Sequence, residues 1–355
     1  MRTKWLVKLW EGRWRRKPVP RSPGAGYTGN PEDTPMRITR RLILAGLAAP
    51  SLAHAQAQDW PARSVRVVVP WPAGGGADTV SRILFARVSE DLRQAFVIEN
   101  RGGASGTIGA AAVATAPADG YTVLYDATAF SVNPFLMASL PYDPLRAFQP
   151  VFLAGRVANL LLANNAVAAR TVPEVIAEAR AARGGLAWAS SGNGSVQHLA
   201  LEMFARAADI QVNHIPYRGG GPALNDLIAG QVRYYFSNAS ASIGHVRGGT
   251  VRAIAHTGST PLPSLPGLPR VADTLPGFEA YEWNGVFLAA GVPAPVVQRL
   301  NAALSAAVEH PAVKERLAGL AVQAQPNTPE EFGAYVRSEM EKWGRLVREA
   351  RITAD

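Results

Sequence analysis

The chain has 355 residues, more than one compact domain usually holds, and its 48% hydrophobic content can fill well-packed cores, so two domains are expected. It has no cysteine, which excludes disulfide frameworks, thiolate metal sites and cysteine nucleophiles; 18% charged residues with 33 Gly and 27 Pro fit an α/β protein with many short turns. The formal charge of +9 sits at one end: residues 1–55 hold 11 Lys+Arg against 3 Asp+Glu, leaving 25 against 24 for the rest, so the body has no basic stripe for nucleic acid and none is expected as a partner.

The N-terminal stretch reads as an address. Arg37, Arg40 and Arg41 precede an apolar run from Leu42 to Leu52, and Ala53-His54-Ala55 supplies the small-x-small pattern of signal-peptide cleavage, so export to the periplasm with cleavage after Ala55 is expected. The run has about a dozen residues where a membrane-spanning helix needs about 20. Residues 1–35 lack periodicity and precede a second Met that opens a complete signal peptide, so Met36 is read as the true start; the Arg40-Arg41 pair leaves the Sec and Tat routes both open.

The next segment, Val65 to Val69, is a continuous β-branched run of the kind covered on both faces in a sheet. A loop from Pro70 to Asp78 follows, then a helix carrying Val80, Ile83, Leu84 and Val88, a second strand from Phe96 to Glu99 and a third from Tyr121 to Tyr125. Thr171 and Glu174 form a capping box that opens a helix to about Ala182. Leu186 to Ala189 predicts a strand that delivers the chain into Ser190–Ser195 and a helix bearing Val196, Leu199, Ala200, Met203 and Phe204. Tyr217 to Gly221 reads as a turn, Pro222 to Ala229 as a short helix, and Val232 to Phe236 and Val251 to Ala255 as strands. After a Pro-rich linker at 261–276, Gly285 to Ala289 predicts a strand leading to two closing helices, the last opened by Thr328 and Glu331 and striped with Phe332, Val336, Met340, Trp343 and Val347 for core packing.

The chemistry concentrates in two loops. Gly74, Gly75 and Gly76 precede a helix start, where exposed amides and the helix dipole attract an anion without Arg or Lys; a plain tight turn is the alternative, and Asp78 alone reads as an N-cap. A dinucleotide fingerprint fails because Thr79 stands at its third glycine, although Gly74, Gly76 and Glu99 fit, so no cofactor is expected. Ser190–Ser195 offers hydroxyls and amides at another helix start. His214, His245, His256 and His310 lack ligand spacing, and no metal is expected.

The segments PWPAGGGAD, ENRGGASGTIGA, ADGYTVLYD, LPYDPLRAFQPV, SSGNGSVQHLALEMF, IPYRGGGPALNDLIAGQV and WNGVFLAAGVPAPVVQRLN resemble the Bug-type receptors of tripartite tricarboxylate transporters, in order and spacing across residues 60–350. The resemblance implies a two-domain periplasmic-binding-protein (Venus-flytrap) fold, type II-like, with crossing hinge strands. Domain 1 would comprise 56–157 and 284–355, and domain 2 residues 158–283. A di- or tricarboxylate, amino acid or aromatic acid would lie in the cleft. The carried-over ligand-binding residues are Trp71, Ala73, Gly74, Gly75 and Asp78 in the first loop, Ser190, Gly192, Ser195 and His198 in the second, Tyr217 and Gly219 in a turn, and Ser237 and Asn238 after a strand. Trp71 departs from the more usual Phe or Tyr, implying a reshaped pocket. The resemblance also implies a non-catalytic monomer that meets the membrane subunits of a transporter, or a sensor. The rival reading is a secreted hydrolase using Ser195 with His198 as base, against which no clustered acid, base and nucleophile appears in the sequence.

Overall fold

The computed structural model describes residues 60–353. The predicted signal peptide, its cleavage after Ala55 and the start at Met36 lie outside the described residues.

Two α/β lobes share one pair of long strands. In the first lobe, β1 (Val65–Val69) pairs in parallel with β2 (Phe96–Asn100) and β3 (Thr122–Ala127). Helix α1 (Gly76–Leu92) connects β1 to β2, and α2 (Thr107–Ala114) connects β2 to β3. Helix α3 (Ala129–Leu136) leaves the end of β3 directly. The 16-residue strand β4 (Phe148–Ala163) then runs out of this lobe and into the next.

The second lobe contains α4 (Val172–Ala181), β5 (Leu186–Ser190), α5 (Val196–Ala208), β6 (Val212–Pro216) and α6 (Gly220–Ile228). It continues with β7 (Tyr234–Asn238), α7 (Ala239–Arg247) and β8 (Arg252–His256). Strand β9 (Tyr281–Ala289) returns to the first lobe, followed by α8 (Ala294–Glu309), α9 (Pro311–Gly319) and α10 (Pro329–Ala350). The strand order is β2-β1-β3-β9-β4-β7-β5-β6, with β8 also on β4.

The crossing is visible in the register. Phe148 to Ala158 of β4 pair with β9, whereas Asn159 to Ala163 pair with β7 and β8. Asn159 marks the change: its side chain is fully buried and donates to Ala280 O, and its amide donates to the Thr257 hydroxyl at 2.9 Å.

Three sequence expectations are corrected. Asp78 is not an N-cap: Gly75 occupies that position, and Asp78 lies in the first turn of α1. Ser237 and Asn238 do not follow their strand but complete β7, because Leu160 and Asn159 of β4 extend the ladder to them. Three helices close the chain rather than two, since His310 leaves helical geometry and Pro311 starts a new helix. The predicted capping boxes at Thr171/Glu174 and Thr328/Glu331 both form.

Helix α10 packs on both lobes. Phe332, Val336 and Met340 join the core of the first with Phe130 and Phe287, while Trp343, Leu346 and Val347 join that of the second with Phe204 and Val172. Gly285 of β9 permits this closeness, because a Cβ there would stand 2.1 Å from Phe332 Cζ.

Candidate functional site

The β1–α1 loop is held by Asp78. Its carboxylate accepts from the Gly74 amide at 2.8 Å, from Arg82 Nε at 3.0 Å and from Asn100 Nδ2 at 2.9 Å, while Asn100 also donates to Trp71 O. Burial pushes this carboxyl up, but the bonds from Arg82, Gly74 and Asn100 outweigh it and hold it down at about 2. Gly74 turns the chain at φ +80°, the left-handed region that favours glycine. The helix start that results has no side-chain cap, so the first-turn amides of Gly76 and Ala77 have no intrahelical acceptor.

Trp71 is anchored beside it. Its indole Nε1 donates to Asp126 Oδ1 at 3.0 Å, and its ring passes over Gly106, where a Cβ would stand 3.3 Å from Cζ2. Asp126 also accepts from the Ala127 amide, yet burial dominates and pushes its carboxyl up to about 7.

A cavity of about 380 Å³ opens between the lobes, and three helix starts reach it. Gly75, Gly76 and Ala77 come from α1, Thr128 and Ala129 from α3, and Ser195, Val196 and Gln197 from α5. Its apolar wall is Val132, Leu136 and Met137. A second cavity of about 350 Å³ shares Gly75, Gly76 and Glu282 with the first and adds Asn238, Ser240 and Asn284. Among the described residues no Lys or Arg lines either cavity, and Glu282 is the one charged side chain in their walls.

The thirteen sequence-predicted residues divide. Trp71, Gly75 and Ser195 line the main cavity, and Gly74 and Asn238 the second. Ala73, Asp78, Ser190, Gly192, His198, Tyr217, Gly219 and Ser237 line neither. Several of these have internal work. Ser190 Oγ shares a 2.6 Å hydrogen bond with His214 Nε2, the Tyr217 hydroxyl donates to Asp226, and the His198 ring stacks on His214 with centroids 3.9 Å apart. Burial, more than any other cause, pushes His214 down to about 4. The residues that sequence reasoning missed are Glu282, Gln197, Asn193, Thr128 and the apolar face of α3.

A Ser195–His198 dyad is not assembled. Ser195 Oγ accepts from the His198 backbone amide at 3.2 Å, as a helix cap does. His198 Nδ1 accepts from the Gly194 amide at 3.1 Å, and Nε2 faces Glu202 at 3.7 Å. Nδ1 is thus taken by a backbone amide, Nε2 turns toward Glu202, and no hydrogen bond joins the ring to the Ser195 hydroxyl. Among the described residues no cluster of His, Asp and Glu is arranged to hold a metal, and no helix is long and apolar enough to cross a membrane.

Residues 80–352 match the family model described as the tripartite tricarboxylate transporter family receptor. The chain belongs to this family. It is 34% identical over 320 residues to protein BugT of Bordetella pertussis, covering 88% of this chain and 98% of that protein. A solved R. palustris protein with adipate superposes with a TM-score of 0.75 at 32% identity, over 83% of this chain and all of that one. MatC of Rhodopseudomonas palustris, with bound malate, gives 0.70 at 33% identity, over 81% of this chain and all of that one. The protein is thus a solute-binding receptor of Bug type with the two-domain periplasmic-binding-protein fold; the family binds substrates rather than converting them, and its members are periplasmic binding proteins.

Proposed function

We infer that this receptor captures a small carboxylate in the cavity between its lobes and delivers it to the membrane subunits of a tripartite transporter. One observation carries the reading: three helix starts from two lobes converge on one cavity that, among the described residues, no Lys or Arg lines. First-turn amides without an intrahelical acceptor, together with the positive end of each helix dipole, favour an anion there, by about 0.3–1 kcal/mol for each terminus. The apolar wall of Val132, Leu136 and Met137 suits the carbon skeleton of an organic acid better than inorganic phosphate. The adipate and malate of the two similar structures belong to the same chemical class.

Trp71, Gly75 and Ser195 contact the ligand in this reading, and Gly74 and Asp78 act by shaping the first loop. The chain is exported by the signal peptide ending at Ala55, so the working protein begins at Gln56. The first lobe is 56–157 with 284–355, the second 158–283. Residues near Val157 and Gly285 take up the change in backbone angle when the lobes close. A thermal-shift screen of plain, hydroxy- and amino-carboxylates, followed by calorimetry, tests the function. At least one carboxylate should raise the melting temperature and bind one to one. Failure of every carboxylate, with a neutral sugar binding instead, would overturn the reading.

A further inference from the structure

The one charged group described in the cavity walls is a carboxylate, and a carboxylate ligand must coexist with it. Glu282 is half-buried on β9, in the pair of strands that joins the lobes, and it borders both cavities. Its Oε2 is held in place by two neutral amide donors from the second lobe, Asn238 Nδ2 at 2.9 Å and Gln197 Nε2 at 3.3 Å. Gln197 is itself braced by donating to Asn159 Oδ1 at 2.9 Å. Among the described residues no hydrogen bond reaches Glu282 Oε1 and no cation pairs with the side chain. The group is therefore positioned by neutral donors, with its charge uncompensated and one oxygen open.

The cavity thus has two poles of opposite sign. First-turn amides of α1, α3 and α5 form the positive one, and Glu282 the negative one. A plain dicarboxylate complements the first pole and is repelled by the second, with no Lys or Arg in the described walls to offset the repulsion. A ligand carrying an ammonium beside its carboxylate satisfies both. An α-hydroxyl would give Oε1 a hydrogen bond but leave its charge uncompensated.

Resting on the carboxylate reading above, we propose that Glu282 makes this receptor selective for zwitterionic amino-carboxylates, binding the ammonium through Oε1 while the helix starts bind the carboxylate. Glu282 is then a specificity-determining residue. It acts at the crossing strands, where the donors Gln197 and Asn238 meet the strand that leads back from the second lobe to the first.

The test is calorimetry with matched sets that differ at one substituent: aspartate, malate and succinate; glutamate, 2-hydroxyglutarate and glutarate; and the remaining common amino acids against their des-amino acids. The wild-type protein should bind an ammonium-bearing member at least tenfold tighter than its hydroxy and plain counterparts. Glu282→Gln keeps an acceptor for Asn238 and removes the charge, so the tenfold preference should vanish while the plain acid binds as well or better. A melting temperature near that of the wild type confirms that the variant is folded. If a plain or hydroxy acid binds wild type as tightly as its amino counterpart, or if Glu282→Gln leaves the ratio unchanged, the zwitterion proposal falls and the carboxylate reading stands. If no member of any set binds, both fall.

Discussion

Trp71 donates its indole N–H to Asp126 Oδ1 at 3.0 Å and so ties the loop after β1 to the end of β3, the two strand ends from which α1 and α3 depart toward the cavity. A Phe or Tyr ring at this position has no N–H to make that bond. The partner is a carboxyl that is 2% exposed and pushed by burial up to about 7.

A buried carboxyl with a raised pKa favours the folded state when protonated. Its contribution is present below the ordinary carboxylate value of about 4 and lost as pH rises through about 7, at no more than about 1.4 kcal/mol for each pH unit crossed. His214, pushed down to about 4, acts oppositely: its contribution is present above about pH 6.5 and lost as pH falls through about 4. The two oppose each other between about pH 4 and about pH 6.5. Asp126→Asn should therefore leave a melting temperature that climbs across this range more steeply than the wild type's. Superimposable profiles would show that Asp126 ionises normally.

Gly75 has a φ of −73° at the helix N-cap, open to any residue, although a Cβ there would stand 3.2 Å from Pro72 O, so the loop carbonyl must give by a few tenths of an ångström. Gly75→Val should fold with a melting temperature within a few degrees of wild type. Its branched side chain at the cavity wall should weaken carboxylate binding at least tenfold, about 1.4 kcal/mol. Unchanged affinity in the folded variant would make the loop a turn and nothing more.

Asp78 and Ser195 differ in what their removal should do. Asp78→Ala strips three donors of their acceptor at a site only 3% exposed and should cost about 2–3 kcal/mol in urea unfolding, with ligand affinity falling as the loop loosens. Ser195→Ala should cost about 1 kcal/mol for the lost cap. Neither the wild type nor this variant should turn over a chromogenic ester; turnover that disappears with Ser195 would restore the hydrolase reading.

Ligand binding should draw the lobes together, because helix starts from both line one cavity. The radius of gyration from small-angle scattering should fall on adding ligand, and the amides of 190–198 should gain protection from hydrogen exchange. Since α10 packs on both lobes, the movement must be accommodated along its seam with Phe204 and Val172. An unchanged radius with 190–198 unprotected would confine binding to the first lobe.

The strand, glycine loop and helix units are readable in the sequence because each has a continuous apolar run, a punctuating loop and a helical stripe, as in Val65–Val69 followed by Gly74–Gly76. The capping boxes are readable because their two partners lie three residues apart. Helix α3 is not: it spans eight residues, carries the helix-breaking Pro134 inside it, and its burial depends on packing with α10. Glu282 carries no local signal either, since a lone carboxylate in an apolar strand gains meaning only when β9 brings it beside Gln197 and Asn238. The side chains of Ser190, His198 and Tyr217 look like ligand contacts by type, yet each has a partner within the second lobe.

The crystal structure of the protein with the carboxylate that raises its melting temperature most is the most direct test of a two-lobed carboxylate site. The ligand's carboxylate should lie within hydrogen-bonding distance of first-turn amides at Gly76 or Ala77, with atoms of the Ser195–Gln197 turn contacting the same molecule from the other lobe. A ligand held outside this cavity, or by the first lobe alone in the closed protein, would contradict it.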